Sequence, residues 1–409
     1  MSLRVQKFGG SSVSTVEQIM AIAQRITHQR SLGDDFIIVI SAMGESTDEL
    51  VKLSQQITSM PHRRELDMLL STGERVSMAL MSMALNSLNC PAISFTGSQA
   101  GIITDPSHTN AKIVDIRPLR LEKTLKDHQV VVLAGFQGVS ERDKEITTLG
   151  RGGTDLTAVA MAAYFKAETC QIMKDVDGVY SADPRIVKSA RHIPFLSYDQ
   201  LLAMTFWGAQ VLYYRSVELA SRLGVPISIE LAHGEGGKTL VTQERKVDMY
   251  ENEQVLSVNS HNAVECLTIE ANSASEAVKQ LFRLIDDHKL SNPQILDVSS
   301  QGSPGRSSET ETKTWEIYYT GPSETMIAIS SCLEKRNAGE KGGKMTLKRG
   351  FATVSVTAQG LMSSSFLGTL VSNLHKNGIN PTKMLFGPMT QTFVVQASEC
   401  LLAIQILHG

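Results

Sequence analysis

The segment VQKFGGSSVSTVEQ, residues 5–18, runs from a short apolar stretch through a pair of glycines into a helical pattern. The glycines turn the chain, and Ser14 and Glu17 have the spacing of a capping box that starts a helix. Backbone N–H groups at such a turn bind anions, and Lys7 adds a positive charge beside them. The segment therefore predicts the first strand, turn and helix of an α/β domain. It is either part of a phosphate site or a tight connection with an exposed lysine.

Short apolar runs alternate with longer helical patterns as far as about residue 240. Apolar strands separated by helices predict a mostly parallel sheet that is covered on both faces. The predicted strands are residues 3–8, 36–41, 92–96, 130–135, 170–174 and 226–230. The predicted helices include one that starts near Val16 and two at residues 68–85 and 155–165.

The pattern changes after about Val241, where a polar and charged stretch begins. Beyond it, VECLTIEANSASEAVKQLFRLIDDHKLSNPQIL (264–296) and ATVSVTAQGLMSSSFLGTLVSNLHKNGINPTKML (352–385) both have the order strand, helix, strand. The second copy starts 88 residues after the first, and each has an Asn-Pro pair just past its helix. This weak self-similarity predicts a duplicated α+β unit.

Composition excludes several classes of protein. The 409 residues correspond to two or three domains at about 150 residues each. A net charge of −3 argues against binding to nucleic acid or to a membrane surface through bulk charge. The five cysteines lie far apart without a CxxC pair, which argues against a disulfide framework or a zinc site. We expect a cytoplasmic protein with no nucleic-acid or membrane partner.

A second glycine-rich turn opens a helix in ITTLGRGGTDLTAVAMAA, residues 146–163. It places Arg151, Thr154 and Asp155 at the start of that helix. An arginine fork suits a carboxylate, and Asp155 can order Mg²⁺ or a lysine near a transferring phosphate. Two such turns, one with lysine and one with arginine and aspartate, are hard to explain as connections alone.

A third segment, KDVDGVYSADPR (174–185), follows the end of a predicted strand. Tyr180 can form a wall for a nucleotide base, and Arg185 can lie near phosphates. The segment also fits an Asp/Gly turn with a packed tyrosine. Taken alone, it favours this second interpretation. In TDPSHTNAKI (104–113), we interpret His108 as a loop histidine.

Seven motifs, taken together and in order, resemble those of the aspartokinases, which have the amino acid kinase fold. They are KFGGSSV, VISAMGESTDEL, LLSTGERVSMAL, VVLAGFQGV, TTLGRGGTDLTA, DVDGVYSADPRIV and GAQVLYYRSVELA. The resemblance implies a three-layer α/β catalytic domain with a mostly parallel sheet at residues 1–243. It implies a linker at 244–255 and two α+β ACT-like regulatory units, which can be interleaved, at 256–409.

The resemblance also implies an activity. Aspartokinases transfer the γ-phosphate of ATP, with Mg²⁺, to the side-chain carboxylate of L-aspartate. The product is 4-phospho-L-aspartate, in the first step toward lysine, methionine and threonine. We expect a homodimer or higher homo-oligomer through residues 256–409, and an amino-acid effector, lysine or threonine, at the ACT-like region near Gly360.

Site residues carry over motif by motif. Lys7 would neutralise charge on the transferred group, and Asp155 would organise the reacting centre. The substrate residues would be Ser41, Glu74 for the ammonium group, Arg151 for the α-carboxylate, and Thr154. The ATP-binding residues would be Lys7, Gly9, Gly10, Ser11, Lys174, Asp175, Tyr180, Asp183, Arg185 and Gln210.

The chain departs from the family pattern in GAQVLYYR. Gln210 stands where the family usually has a lysine, and Tyr213 and Tyr214 replace His-Pro. A hydrogen bond from a neutral amide to phosphate contributes only about 1 kcal/mol to the binding free energy, and a contact from a cation contributes more. We therefore expect weakened ATP binding or a compensating cation, either Lys174, at a position commonly held by threonine, or Arg215.

Two other readings of the sequence stay open. One is a kinase of the same fold that acts on another carboxylate or on a carbamate. The pairing of Glu74 with Arg151, which suits an α-amino acid, argues against it. The other is a catalytically weak, amino-acid-sensing protein that contains ACT-like units. Gln210 and the irregular ACT-like region are its only support.

Overall fold

The computed structural model describes residues 2–58, 60–243, 254–287, 290, 292–300, 313–338, 345–359 and 364–409. The chain divides into two compact units. The first unit consists of Met1–Tyr180, Arg191–Phe206 and Gln210–Asp248, and the second of Ser181–Ala190, Trp207–Ala209 and Met249–Gly409. Most of the predicted linker, up to residue 253, and Gly360 lie outside the described residues.

An eight-stranded sheet forms the centre of the first unit. Its strands are β1 (Leu3–Phe8), β2 (Asp35–Ile40), β3 (Ala92–Phe95), β6 (Val130–Ala134), β9 (Cys170–Lys174), β12 (Phe195–Ser197), β13 (Ile227–Leu231) and β14 (Lys238–Thr242). They lie in the order β12-β14-β13-β9-β1-β2-β6-β3. Only the pair of β13 and β14 is antiparallel among these described strands. The predicted parallel sheet is confirmed, and each predicted strand lies within one residue of its observed bounds.

Helices cover both faces of this sheet. They are α1 (Val16–Ser31), α2 (Ser46–Ile57), α3 (Arg63–Ser87), α4 (Leu119–Lys126), α5 (Gly153–Tyr164), α6 (Tyr198–Phe206) and α7 (Tyr214–Leu223). Phe8 and Ile38 pack against α1 and α3 in one apolar core. On the other face α5 crosses β1 and β2, and its residues from Gly153 to Ala162 are all buried. The result is the three-layer arrangement that was expected.

Two small sheets complete the first unit. One has four strands in the order β5-β4-β7-β8, and the other pairs β10 with β11. Their bounds are β4 (Ile102–Thr104), β5 (Ile113–Ile116), β7 (Gln137–Ser140), β8 (Ile146–Thr148), β10 (Val179–Tyr180) and β11 (His192–Ile193). Because β8 ends directly before the second glycine turn, the four-stranded sheet determines where that turn lies.

The capping box of α1 differs from the prediction by one residue. A short 3₁₀ helix, Gly10–Val13, follows the glycines, and Ser14 keeps a helical conformation after it. Thr15 is extended, with φ −129° and ψ 161°, so Thr15 and Gln18 form the box rather than Ser14 and Glu17. Gln18 also accepts hydrogen bonds from the N–H and hydroxyl groups of Ser14. The start of α1 is thus capped by its own side chains.

The second unit contains a six-stranded antiparallel sheet and four α-helices among its described residues. The strands are β15 (Gln254–Ala271), β16 (Gln294–Ser300), β17 (Lys313–Thr320), β18 (Met345–Gln359), β19 (Lys383–Phe386) and β20 (Thr390–Gln396). The helices are α8 (Ala274–Asp287), α9 (Ser323–Ala338), α10 (Ser364–Lys376) and α11 (Cys400–His408). Both predicted repeat segments have the order strand, helix, strand, as β15-α8-β16 and β18-α10-β19.

Two long strands are shared between two halves of this sheet. The second half of β15 pairs with β17 and with the first half of β18. The first half of β15 pairs with the second half of β18, which also pairs with β20. Separate apolar cores lie beneath the halves, one under α8 and α9 and the other under α10 and α11. The second unit is therefore built from two interleaved α+β halves.

Crossing a bilayer needs a helix that is both long and apolar, and the described part of the chain contains no helix that meets both conditions.

We expect Phe393→Ala to lower the free energy of unfolding by about 3–5 kcal/mol, because it removes a fully buried ring from the core under α10 and α11. Phe386→Ala is the matched control, since Phe386 is 65% exposed on the neighbouring strand and should change stability by less than about 0.5 kcal/mol. Guanidinium titration of both variants measures the difference. Equal effects would contradict the core assigned here.

Candidate active site

A buried ion pair joins β1, which precedes the first glycine turn, to α5, which follows the second. Lys7 lies near the end of β1, and its Nζ is 2.7 Å from Asp155 Oδ1 in the first turn of α5. Each side chain is only 9% exposed. Asp155 Oδ1 accepts no hydrogen bond from the described residues, so the contact with Lys7 is electrostatic. Buried charges are tolerated only when they are paired, and this pair places a lysine beside the first glycine turn.

The first glycine turn lies against the loop after β2. A Cβ atom on Gly10 would be 2.8 Å from the carbonyl oxygen of Ala42 and 2.9 Å from that of Gly44. The N–H group of Gly44 donates to the carbonyl of Gly10 at 3.1 Å. A Cβ atom on Gly9 would lie 3.6 Å from Lys7 Nζ, so the ammonium group reaches the turn itself. Glycine is needed at position 10 because the two backbone segments touch.

Two serines follow the glycines. Ser11 is exposed, whereas Ser12 is buried and its hydroxyl has no partner among the described residues. The sequence analysis selected Ser11 and missed Ser12, since two adjacent serines give no signal of which one faces inward. Ser12 is a candidate phosphate ligand on the strength of that unsatisfied hydroxyl.

Glu74 is a buried carboxyl group on α3 with one unsatisfied oxygen. Its Oε1 accepts a hydrogen bond from the N–H group of Ala42 at 3.3 Å. Its Oε2 is buried and has no partner among the described residues. Burial raises the pKa of Glu74 to about 7, although the backbone N–H groups oppose the shift. A positively charged ligand group at Oε2 would supply the missing partner.

Ser41 is held close to the same helix. The hydroxyl group of Ser77, one turn beyond Glu74, donates to the carbonyl oxygen of Ser41 at 2.7 Å. The predicted substrate residues Ser41 and Glu74 therefore lie together at the contact between the end of β2 and α3.

The second glycine turn carries Arg151. Gly150 and Gly152 have φ values of +75° and +71°, which favour glycine. A Cβ atom on Gly152 would lie 2.2 Å from Cβ of Tyr213, which excludes any larger residue. Arg151 is exposed, and its guanidinium group has no hydrogen-bond or ion-pair partner among the described residues. The turn thus presents an uncommitted cation.

Thr154 and Asp155 follow this turn as buried residues of α5. A Cβ atom on Gly135, just after β6, would lie 2.5 Å from Cγ2 of Thr154. The start of α5 therefore approaches the ends of the central strands closely, which is what brings Asp155 to Lys7.

Lys174 ends β9, the strand next to β1, and adds a second lysine to the site. Its Nζ donates to the carbonyl oxygens of Gln210, at 3.3 Å, and Val211. Burial lowers the pKa of Lys174, and the nearby charge of Lys7 lowers it further, while Asp155 and Asp175 act in the opposite direction. The side chain of Gln210 itself is exposed. Lys174 therefore lies where it can act as the compensating cation.

Arg215, the other candidate for that role, is committed elsewhere. Its guanidinium group donates to Asn110 Oδ1 at 2.6 Å and to the carbonyl oxygens of Leu149 and Ala111 at 2.9 and 3.1 Å. It holds the second glycine turn against the loop before β5. These contacts use three of the five N–H donors of Arg215, and its role as a compensating cation stays a prediction.

The other residues that were predicted to bind ATP are distributed over the two units. Asp175 is exposed in the first unit. The hydroxyl group of Tyr180 donates to Asp177 Oδ1 at 2.7 Å, which raises the pKa of Tyr180 and lowers that of Asp177. Asp183 and Arg185 belong to the second unit, where they form an ion pair at 2.7 Å.

No group of three or more histidine, cysteine, aspartate and glutamate side chains is arranged to hold a metal within the described ranges. Mg²⁺ in phosphotransferases is usually bound by one or two carboxylates together with the phosphates of the substrate. Asp155 is a carboxylate of that kind beside the glycine turns, and its Oδ1 lies 2.7 Å from Lys7 Nζ.

Comparison with known proteins identifies the family of this chain. The sequence model of the amino acid kinase family matches residues 2–230. The aspartokinase of Bacillus sp. (strain MGA3) is 37% identical over 411 residues, which cover 100% of this chain and 97% of that protein.

Solved structures show the same fold over the full length. The crystal structure of E. coli aspartokinase III in complex with aspartate and ADP (R-state) has a TM-score of 0.79 at 19% identity, covering 100% of this chain and 99% of that one. The structure of the same enzyme with lysine and aspartate (T-state) has a TM-score of 0.70 at 21% identity, with 100% and 98% covered. With an identity of 37% to a relative that it covers almost completely and a family match over residues 2–230, this chain belongs to the aspartokinases of the amino acid kinase family.

Proposed function

We propose that this protein is an ATP-dependent kinase that transfers the γ-phosphate of ATP to the side-chain carboxylate of L-aspartate. The observation that carries the proposal is the buried Lys7–Asp155 pair between two glycine turns. Phosphoryl transfer needs little covalent chemistry from the protein, and positioning and charge neutralisation dominate it. A fixed lysine at an anion-binding turn supplies both.

Two charged side chains suit the α-amino acid end of the substrate. The unsatisfied Oε2 of Glu74 is an acceptor for the ammonium group, and the uncommitted guanidinium of Arg151 matches the α-carboxylate. Ser41 and Thr154 are the polar residues beside them. Aspartate held at that end leaves its side-chain carboxylate free to react.

The side-chain carboxylate is the nucleophile, so no residue of the protein forms a covalent intermediate. An oxygen of the carboxylate bonds to the γ-phosphorus, and the bond between that phosphorus and the β,γ-bridging oxygen breaks. The electron pair leaves with ADP, and 4-phospho-L-aspartate forms without any proton transfer. Lys7 stabilises the charge on the transferred group, and Asp155 holds the Lys7 ammonium in place.

The nucleotide phosphates are bound by the first glycine turn, Gly9, Gly10 and Ser11, with Lys7 and Lys174 as cations. When it is bound with ATP, Mg²⁺ neutralises charge on the β- and γ-phosphates. Among the described residues of the site, Asp155 would be a ligand for it. Tyr180, Asp175 and the exposed Gln210 lie on the segments that follow β9 and α6, where we place the rest of the nucleotide.

An amino-acid effector, lysine or threonine, is proposed to act through the second unit. Its support is the likeness of fold to E. coli aspartokinase III, which has been crystallised with lysine. Assembly as a homodimer through residues 256–409, a cytoplasmic location and a place at the start of lysine, methionine and threonine synthesis stay predictions.

The direct test is ADP release by the purified full-length protein with Mg-ATP and a panel of amino acids. Aspartate-dependent turnover supports the proposal. Turnover with another acid would instead favour a same-fold kinase with a different substrate, and binding without turnover would favour an amino-acid-sensing protein.

Lys7→Met should lower kcat by about 10²–10³-fold, because it removes the cation that stabilises the transferred group. Lys126→Met, at an exposed position of α4, is the matched control and should leave kcat unchanged. Steady-state ADP release measures both, and circular dichroism checks that the fold is retained. A Lys7→Met enzyme with normal kcat would remove Lys7 from the mechanism.

The KM for aspartate should rise by up to about tenfold per pH unit as the pH falls below 7. Glu74, with a pKa of about 7 when the site is free, is protonated at lower pH and loses a proton to bind the ammonium group. Aspartate itself does not titrate in this range. Glu74→Gln should bind aspartate weakly with no pH dependence between pH 6 and 8, and a retained slope in this variant would show that another group is responsible.

Lys174→Met should raise the KM for ATP by about tenfold, because it removes one charge-assisted contact to phosphate. If Lys174 replaces the missing lysine, adding Gln210→Lys to this variant should restore the KM, and Gln210→Lys alone should lower it. Steady-state kinetics of the two single variants and the double variant measure this. If Gln210→Lys leaves the KM for ATP unchanged both alone and together with Lys174→Met, Lys174 does not replace the lysine that is missing at position 210.

A further inference from the structure

Asp67 is a buried carboxylate in the first turns of α3, and it is fully shielded from solvent. Glu74 lies seven residues further along the same helix, which is two turns away and on the same face. The helix that carries the proposed ammonium ligand therefore also carries a second, deeper carboxylate. Nothing in the proposed chemistry uses it.

Two side chains and one backbone N–H group satisfy Asp67. The hydroxyl of Thr148 donates to Oδ1 at 2.5 Å, and the N–H group of Thr109 lies 3.1 Å from both oxygens. His108 Nδ1 is 2.6 Å from Oδ2, and since a carboxylate only accepts, Nδ1 carries the hydrogen. Bonds of this kind are strong because one partner is charged.

These partners hold the turn that carries Arg151. Thr148 is the last residue of β8, three positions before Arg151. The loop that begins at His108 lies against the same turn, since a Cβ atom on Gly150 would be 3.0 Å from the carbonyl oxygen of Thr109. The N–H group of Ala111 also donates to the carbonyl oxygen of Thr148 at 2.9 Å. Asp67 is thus the anchor of the Arg151 turn on α3.

We propose that Asp67 is a positioning residue that sets the separation between Glu74 and Arg151, and with it the preference for an α-amino acid. The inference rests on the substrate roles given to those two residues under the proposed function. The affinity of a ligand that spans two charged groups depends steeply on the distance between them. A misplacement of about 1 Å can lower the efficiency of an enzyme by up to 10²-fold. The affinity of a ligand that contacts only one of the two groups does not depend on that distance.

The test is Asp67→Asn in the full-length protein, which keeps the shape of the side chain and removes its charge. The KM for aspartate should rise by about tenfold, while kcat and the KM for ATP stay within about twofold. Succinate lacks the ammonium group and 3-aminopropanoate lacks the α-carboxylate, so their inhibition constants against aspartate should change by less than about twofold. A uniform loss of kcat and of affinity for ATP and aspartate would show a merely structural role and overturn the proposal.

His108 gives a second pair of variants if Asp67→Asn does not fold, because its side chain is 21% exposed. His108→Ala should raise the KM for aspartate in the same selective way, by about threefold, and His108→Asn, which keeps a donor near Nδ1, should restore it. Asp115→Asn is the control, since Asp115 pairs with Arg117 at the surface. A KM for aspartate that is unchanged in both Asp67→Asn and His108→Ala would also overturn the proposal. An absence of aspartate-dependent turnover in the wild-type protein would instead defeat the proposed function.

Discussion

The buried ion pair of Lys7 and Asp155 is the constraint on which the catalytic unit depends. Neither charge is stable in so shielded a position without the other, because each loses most of its hydration. Pairing them requires the end of β1 and the start of α5 to approach closely. Gly135 permits that approach, since any side chain there would collide with Thr154. Glycines such as Gly10 and Gly135 are therefore needed where chain segments touch, in addition to any role in binding phosphate.

The helix α3 connects the two ends of the site through buried polar groups. A typical helix buries an apolar stripe, but α3 also buries Asp67, Ser71, Glu74 and Ser77. The Ser71 carbonyl accepts from Gln137, and Ser77 donates to the carbonyl of Ser41. Buried polar groups are almost always satisfied, so the unpaired Oε2 of Glu74 stands out as a place for a ligand. The same rule identifies Ser12 beside the first turn.

In the second unit, the two long strands β15 and β18 are shared by both halves. The first half of β15 completes a half-sheet whose other strands come about a hundred residues later, and a shift in register near His261 separates it from the second half. Both apolar cores of the unit therefore depend on the same strand. The self-similarity of the sequence predicted the two copies of strand, helix and strand, but it did not show which strands they share.

Local patterns in the sequence were enough to predict the parallel sheet, the order of its elements and the two glycine turns, because apolar periodicity and glycine positions are local properties. Motifs also selected Lys7, Glu74, Arg151 and Asp155. Which of these groups meet became visible only in the folded chain, since the Lys7–Asp155 ion pair joins residues far apart in the sequence. The capping box was misplaced by one residue because a 3₁₀ turn is not visible in the pattern. Asp67 carried no signal except its spacing from Glu74, and its role depends on hydrogen bonds to His108, Thr109 and Thr148 that no local pattern encodes.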